Sequence, residues 1–309
     1  MRRCVVTAIA ALVFATGSGV AHGASTLATT SGAASANPTT HGSERALPGP
    51  LFTPINIIDG SDDRGSLLEL GPGLGLSSAE IARIRRVSGF VGCLSNPPSM
   101  VSGMLFLTDR QVVTVAHVLF EPNGRPRSKC FFRTQDPEPF YTDLDLSSGA
   151  VRLGAKLPKA GSAEDFVVVR LMEPVPRAVP FPVAVSPARA GEALIVVTAH
   201  PAGMAREVDK GIPVVQGCTV RRVVPSASPS APSQLRTDCD ATGSSSGGMN
   251  MTRIGGQLML RAITVATGPW RNKRLEGAPF NEKTGSQTVA IALDGPVLTA
   301  ARALAASAP

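Results

Sequence analysis

Beyond Gly89 the chain alternates short apolar runs with clusters of Gly, Pro, Asp and Asn. Ser102–Leu107, Gln111–Ala116, Cys130–Arg133, Phe166–Leu171, Leu194–Thr198, Val214–Val224 and Leu258–Val265 stand out, most of them rich in β-branched or aromatic residues. Many short strands between frequent turn signals predict an all-β chain of barrels or sandwiches, not alternating βα units. Two stretches break the pattern. Ser77-Ser78-Ala79-Glu80 has the form of a capping box and predicts a short helix to about Arg86. Pro296–Ala306 is rich in Ala and Leu and lacks Gly, so a terminal helix is expected. Pro174, Pro176, Pro180 and Pro182 mark a connection between two β-domains, at 57–176 and 177–309.

The N-terminal end has a different character. Arg2 and Arg3 precede an apolar stretch from Cys4 to Phe14, and small residues around Ala21–Ala24 follow, the layout of a secretory signal over residues 1–24. The apolar run is too short for a bilayer, which needs about 20 residues. Residues 25–56 are rich in Ser, Thr, Ala, Gly and Pro and read as a linker or pro-segment. An exported chain without Cys4 keeps Cys93, Cys130, Cys218 and Cys239. Four cysteines allow three connectivities, and pairing neighbours gives Cys93–Cys130 and Cys218–Cys239.

Composition removes several function classes. The net charge of +7 becomes +5 without Arg2 and Arg3, and its basic residues are scattered, so nucleic acid is not expected as a partner. Aromatics make up 4% of the chain, too few for a platform on which single-stranded bases stack. No C-x-x-C occurs and the histidines are only His22, His41, His117 and His200, so no metal site is expected.

Three polar residues in the apolar pattern carry candidate chemistry. Ser246 lies in Thr242-Gly243-Ser244-Ser245-Ser246-Gly247-Gly248-Met249, where glycines permit a sharp turn and let backbone N–H groups converge on an oxyanion. A serine hydroxyl needs a base, and His117 ends the apolar run Val112-Val113-Thr114-Val115-Ala116. The histidine needs a group that fixes its tautomer, and Asp165 heads Phe166-Val167-Val168-Val169. Asp143 and Asp145 compete for that role but lie in a polar stretch. None of the three is decisive alone. His200, before Pro201, reads as a surface-loop residue.

Taken together, in the order His, Asp, Ser and at intervals of 48 and then 81 residues, these sites resemble the chymotrypsin-like serine peptidases. Thr114-Val115-Ala116-His117 resembles that family's T-A-A-H, Asp165-Phe166-Val167-Val168-Val169 its D-[IF]-A-[LV]-[LV], and Ser244-Ser245-Ser246-Gly247-Gly248 its G-[DNS]-S-G-[GS]. The bacterial branch that includes glutamyl endopeptidases is most similar: some members begin with a segment like Ile58–Arg64 and carry C-D-T where this chain has Cys239-Asp240-Ala241. The resemblance implies two antiparallel six-stranded β-barrels with a C-terminal helix and an active site between the barrels. It implies a secreted or periplasmic monomeric endopeptidase that acts on protein or peptide substrates without a cofactor. Ser246 would be the nucleophile, His117 the base, Asp165 its orienting group, and the N–H groups of Ser244 and Ser246 the oxyanion hole.

The chain departs from the family pattern at several positions. Ser244 stands in place of a glycine, Met249 in place of a proline, and Val118 in place of the cysteine beside the histidine in animal relatives. Ser245 replaces the aspartate that pairs with a new N-terminus in trypsin-type activation. Two residues bear on specificity. Asp240 lies six positions before Ser246, where trypsin-like relatives keep the acid that binds Lys or Arg, and Thr264 stands where glutamyl endopeptidases carry a pocket histidine. The balance favours small or apolar substrate side chains while leaving basic and acidic ones open. The reading from another class is a secreted non-catalytic homologue that binds a partner through the same cleft. A stress protease with chaperone activity ranks below it, because no segment after Ser246 is long enough for a peptide-binding accessory domain.

Overall fold

The computed structural model describes residues 55–199, 211–268, 273–275 and 277–307. The expected signal segment and His200 lie outside these residues, as does the expected linker apart from its last two positions. Those two form a strand, β1 (Ile55–Asn56), followed by β2 (Gly65–Ser66), a single turn α1 (Leu67–Leu70), and α2 (Ser78–Val87). The capping box is present: Glu80 N–H donates to Ser77 Oγ at 3.2 Å and Ser77 N–H to Glu80 Oε2 at 2.8 Å. Arg83 on the same helix lies 4.1 Å from the Phe181 ring centroid and donates to the carbonyls of Val179 and Pro180. The helix is thus pinned to the proline-rich connection anticipated between the two β-units.

The first barrel comprises β3 (Ser88–Cys93), β4 (Ser99–Leu105), β5 (Gln111–Thr114), β6 (Cys130–Thr134), β7 (Tyr141–Asp145) and β9 (Val167–Leu171), all antiparallel. Pairing of β5 with β9 closes it, and β8 (Val151–Leu153) also pairs with β9. Closure removes the open edges that would otherwise invite pairing with other chains. Phe106, Phe132, Phe166, Leu105 and Met104 are fully buried, each side chain contributing about 1.5–3 kcal/mol by leaving water. Strand β3 was not foreseen because its two glycines dilute the apolar run. The barrel needs one of them: a Cβ on Gly89 would sit 2.1 Å from the Arg133 carbonyl oxygen.

The second barrel closes in the same way, through β10 (Ala193–Thr198) on β11 (Val214–Val224). Its other strands are β12 (Gln234–Thr237), β14 (Met249–Ile254), β15 (Gln257–Ala266) and β16 (Thr288–Ala292), while β2 extends it beside β11. A two-residue strand, β13 (Ala241–Thr242), pairs outside the barrel with β1. The terminal helix forms as α4 (Pro296–Ala306), with Val297, Leu298, Ala301 and Leu304 buried. Gln111 of the first barrel donates to the Ala301 carbonyl and Arg170 to that of Leu304, so α4 ties the end of the chain back to the first barrel. Both neighbour pairings of the cysteines occur, Cys93–Cys130 and Cys218–Cys239. In the chain-entropy picture each contributes roughly 3–4 kcal/mol.

Candidate active site

His117 is held by the end of β5. The strand stops at Thr114, two residues earlier than its apolar pattern implied, and Ala116–Leu119 form a single turn, α3, that carries the imidazole. Asp165 lies two residues before β9, the partner of β5 in the barrel seam, so closure of the barrel brings the two together. Asp165 Oδ2 is 2.7 Å from His117 Nδ1, and Oδ1 accepts the His117 backbone N–H at 3.1 Å. Gly161 N–H donates to Oδ2 at 2.8 Å. The carboxyl group is fully buried, whereas 30% of the His117 side chain is exposed. A carboxylate that only accepts favours the proton on Nδ1 and leaves the lone pair on Nε2. Asp143 and Asp145 lie on β7 and take no part in this contact.

Ser246 arrives from the second barrel. Gly243–Ser245 form a 3-10 turn capped by Thr242, and Ser246 follows it. Ser245 Oγ accepts the Thr242 N–H at 3.0 Å, so that side chain is spent inside the turn. The turn docks on the first barrel. Ser102 N–H on β4 donates to the Ser246 carbonyl at 2.9 Å, and Thr114 Oγ donates to the Ser102 carbonyl at 2.7 Å. Gly247 has φ of 75°, and a Cβ there would lie 1.9 Å from the Ser102 oxygen and 2.5 Å from Thr114 Oγ. A glycine is therefore required on both conformational and steric grounds. Thr114 is three residues from His117, so this docking sets Ser246 at the His117 end of the first barrel.

The two residues expected to read a substrate side chain are both engaged elsewhere. Thr264 is buried and its hydroxyl accepts from Asn250 Nδ2 at 3.0 Å, while its backbone pairs with Gly247 and Gly248. Asp240 is 3% exposed. Its Oδ1 accepts the Ile58 N–H at 2.7 Å and its Oδ2 the Asp63 N–H at 2.8 Å. Burial pushes its carboxyl up to about 6, against the opposing pull of those two N–H bonds. A role in which this carboxylate stands open to a Lys or Arg side chain does not match this arrangement, because both oxygens already serve the N-terminal segment.

No protein-family model and no curated protein matches the sequence. The backbone is similar to that of a Glu endopeptidase at a TM-score of 0.55, with 12% identity over 81% of this chain and 100% of that one. It is similar to the active form of a protease from M. tuberculosis at 0.51, with 13% identity over 84% and 94% of the two chains. It is similar also to an inactivated protease paralogue of the scabies mite at 0.52, with 12% identity over 74% and 97%. The chain has the chymotrypsin-like fold. Within it, closure of the first barrel joins His117 to Asp165, and the Ser246 turn docks on β4 of the same barrel. Sequence reading missed Gly161, Ser102 and Thr114, whose backbone or hydroxyl groups hold those residues in place. Backbone donors carry no side-chain signature. The chymotrypsin-like fold also receives an N-terminal segment, Ile55–Asp63, whose contacts no local pattern announced.

Proposed function

We infer that the chain is a serine endopeptidase, exported to the periplasm or the medium, that cleaves peptide bonds through an acyl-enzyme on Ser246. The observation that carries this reading is the fully buried Asp165, which places one oxygen on His117 Nδ1 and the other on the His117 N–H. A buried acid so placed orients an imidazole and favours the imidazolium that forms when the ring accepts a proton. His117 Nε2 takes the proton of the Ser246 hydroxyl as Oγ bonds to the scissile carbonyl carbon. Backbone N–H groups of Ser244 and Ser246 stabilise the oxyanion. Collapse of the tetrahedral species breaks the C–N bond, and the amine leaves with the proton held by His117. Water, deprotonated by His117, then releases the acyl group and restores Ser246. The two disulfides agree with an oxidising compartment.

The same fold occurs in an inactivated paralogue, so the rival reading of a non-catalytic binding protein is tested directly. A fluorophosphonate probe labels Ser246 in the wild type, and Ser246→Ala abolishes both labelling and cleavage of a diverse peptide library. A wild type that neither labels nor cleaves after processing assigns the chain to the non-catalytic class.

A further inference from the structure

We propose that Asp240 is a positioning residue, a latch that fastens the N-terminal segment Ile57–Asp63 to the chain leading into the Ser246 turn, and not the reader of a substrate side chain. The inference rests on the peptidase reading and adds to it a residue that acts through main chain.

The two N–H donors on Asp240 lie five residues apart, at Ile58 and Asp63, so one carboxylate closes the segment between them into a loop. The aspartate is itself clasped: Gln216 Nε2 donates to its carbonyl at 2.6 Å, and its N–H donates to Gln216 Oε1 at 2.8 Å. The far side of the segment is bonded as well. Gly277 N–H donates to the Ile57 carbonyl at 2.8 Å, Asp59 N–H to the Ala278 carbonyl at 3.2 Å, and Phe280 N–H to Asp59 Oδ1 at 3.1 Å. The segment therefore runs as a strap between residues 240–242 and the 277–280 loop.

From Asp240 the chain passes without slack to Ser246. Ala241–Thr242 form β13, paired with β1 in the register Asn56↔Ala241 and Ile55↔Thr242. Thr242 caps the Gly243–Ser245 turn, and Ser246 follows. Pulling the strap from Asp240 frees the carboxylate's neighbours and the strand that starts the turn. A buried carboxylate that loses its donors is strongly disfavoured, so the strap and the acid hold each other. The turn that must aim Ser246 and two backbone N–H groups within fractions of an ångström is braced by a segment nearly two hundred residues upstream.

The full chain carrying Asp240→Asn tests this. Asparagine keeps the size but turns an N–H group toward a backbone N–H. Hydrogen–deuterium exchange is expected to rise in both the strap peptide around residues 55–64 and the turn peptide around 240–249, with the thermal unfolding transition retained. Cleavage should lose about tenfold or more in kcat, with KM changed much less and equally for Lys, Glu, Leu and Ala at the cleaved position. Ile58→Pro, which deletes one donor and leaves the carboxylate, should reproduce the exchange pattern, and the double variant should be no worse than the singles added together. A loss confined to Lys and Arg substrates, appearing in KM, overturns the proposal in favour of side-chain recognition. Unchanged exchange in the strap or in the turn also overturns it. Exchange does not depend on activity, so a chain that cleaves nothing sinks the peptidase reading while leaving the latch measurable.

Discussion

The two halves of the site are held by different means. His117 and Asp165 belong to one barrel seam, and side chain meets side chain: a buried acid, an imidazole, and only 48 residues of chain between them. Ser246 belongs to a turn whose contacts with distant segments run through main-chain groups, at Ser102, at Thr264 and along the strap on Asp240. The first half is a hydrogen-bonded pair of side chains that sequence motifs describe well. The second is a conformation, and its supports come from distant segments that share no motif.

Variants of either half sharpen this contrast. The largest effect is expected at Asp165→Asn, where the wrong tautomer of His117 should lower kcat by about 10⁴-fold with the fold intact. Measured steady-state cleavage together with an unchanged unfolding temperature checks that only the chemistry is lost. Gly247→Ala should strike the fold as well as the chemistry. The added methyl collides with Ser102 and must adopt φ of 75°, so stability should fall by several kcal/mol as well as activity. A Gly247→Ala protein of wild-type stability would break the claim that the Ser246 turn depends on backbone docking.

A pH series separates the halves further. Asp240 is raised from 3.8 to about 6 by burial. Its folded form therefore holds the proton more tightly than the unfolded chain. The stability gained is fully present below pH 3.8 and is lost as pH rises through about 6, by up to about 3 kcal/mol. The difference in unfolding free energy between wild type and Asp240→Asn should accordingly shift against the wild type between pH 4 and 7; a difference independent of pH would contradict it. The smallest effect is expected at Glu80, which the hydrogen-bonded Arg253 guanidinium pulls down to about 2. That contribution is present above pH 4.5 and is lost as pH falls toward 2. The pair sits near the surface, so screening keeps its worth under about 1 kcal/mol. Glu80→Gln should cost that much at pH 7 and progressively less as pH falls toward 2, measured by denaturant titration.

Much of the fold was legible. The capping box at Ser77 and Glu80, strand β11 and helix α4 lie where their residues put them, because caps, β-branched runs and Ala-rich stretches act locally. Strands β7, β12, β14 and β16 were not foreseen. β7 carries Asp143 and Asp145 on its outward positions and so reads as polar, although Thr142 and Leu144 face inward. Its pairing with β6 and β9 makes it a strand.

The sequence by itself determined the all-β character, the order and spacing of His117, Asp165 and Ser246, and a set of four cysteines whose pairing it left open among three connectivities. These follow from side-chain chemistry within a few residues of each position. Only the tertiary structure decided what Asp240 does. Its local setting, six residues before Ser246, suited a substrate acid. Closure of the second barrel instead placed it against the Ile58 and Asp63 N–H groups, 182 and 177 residues away. Every residue but proline carries the same N–H, so the donors that claim a buried carboxylate are chosen by the path of the chain and not by its letters.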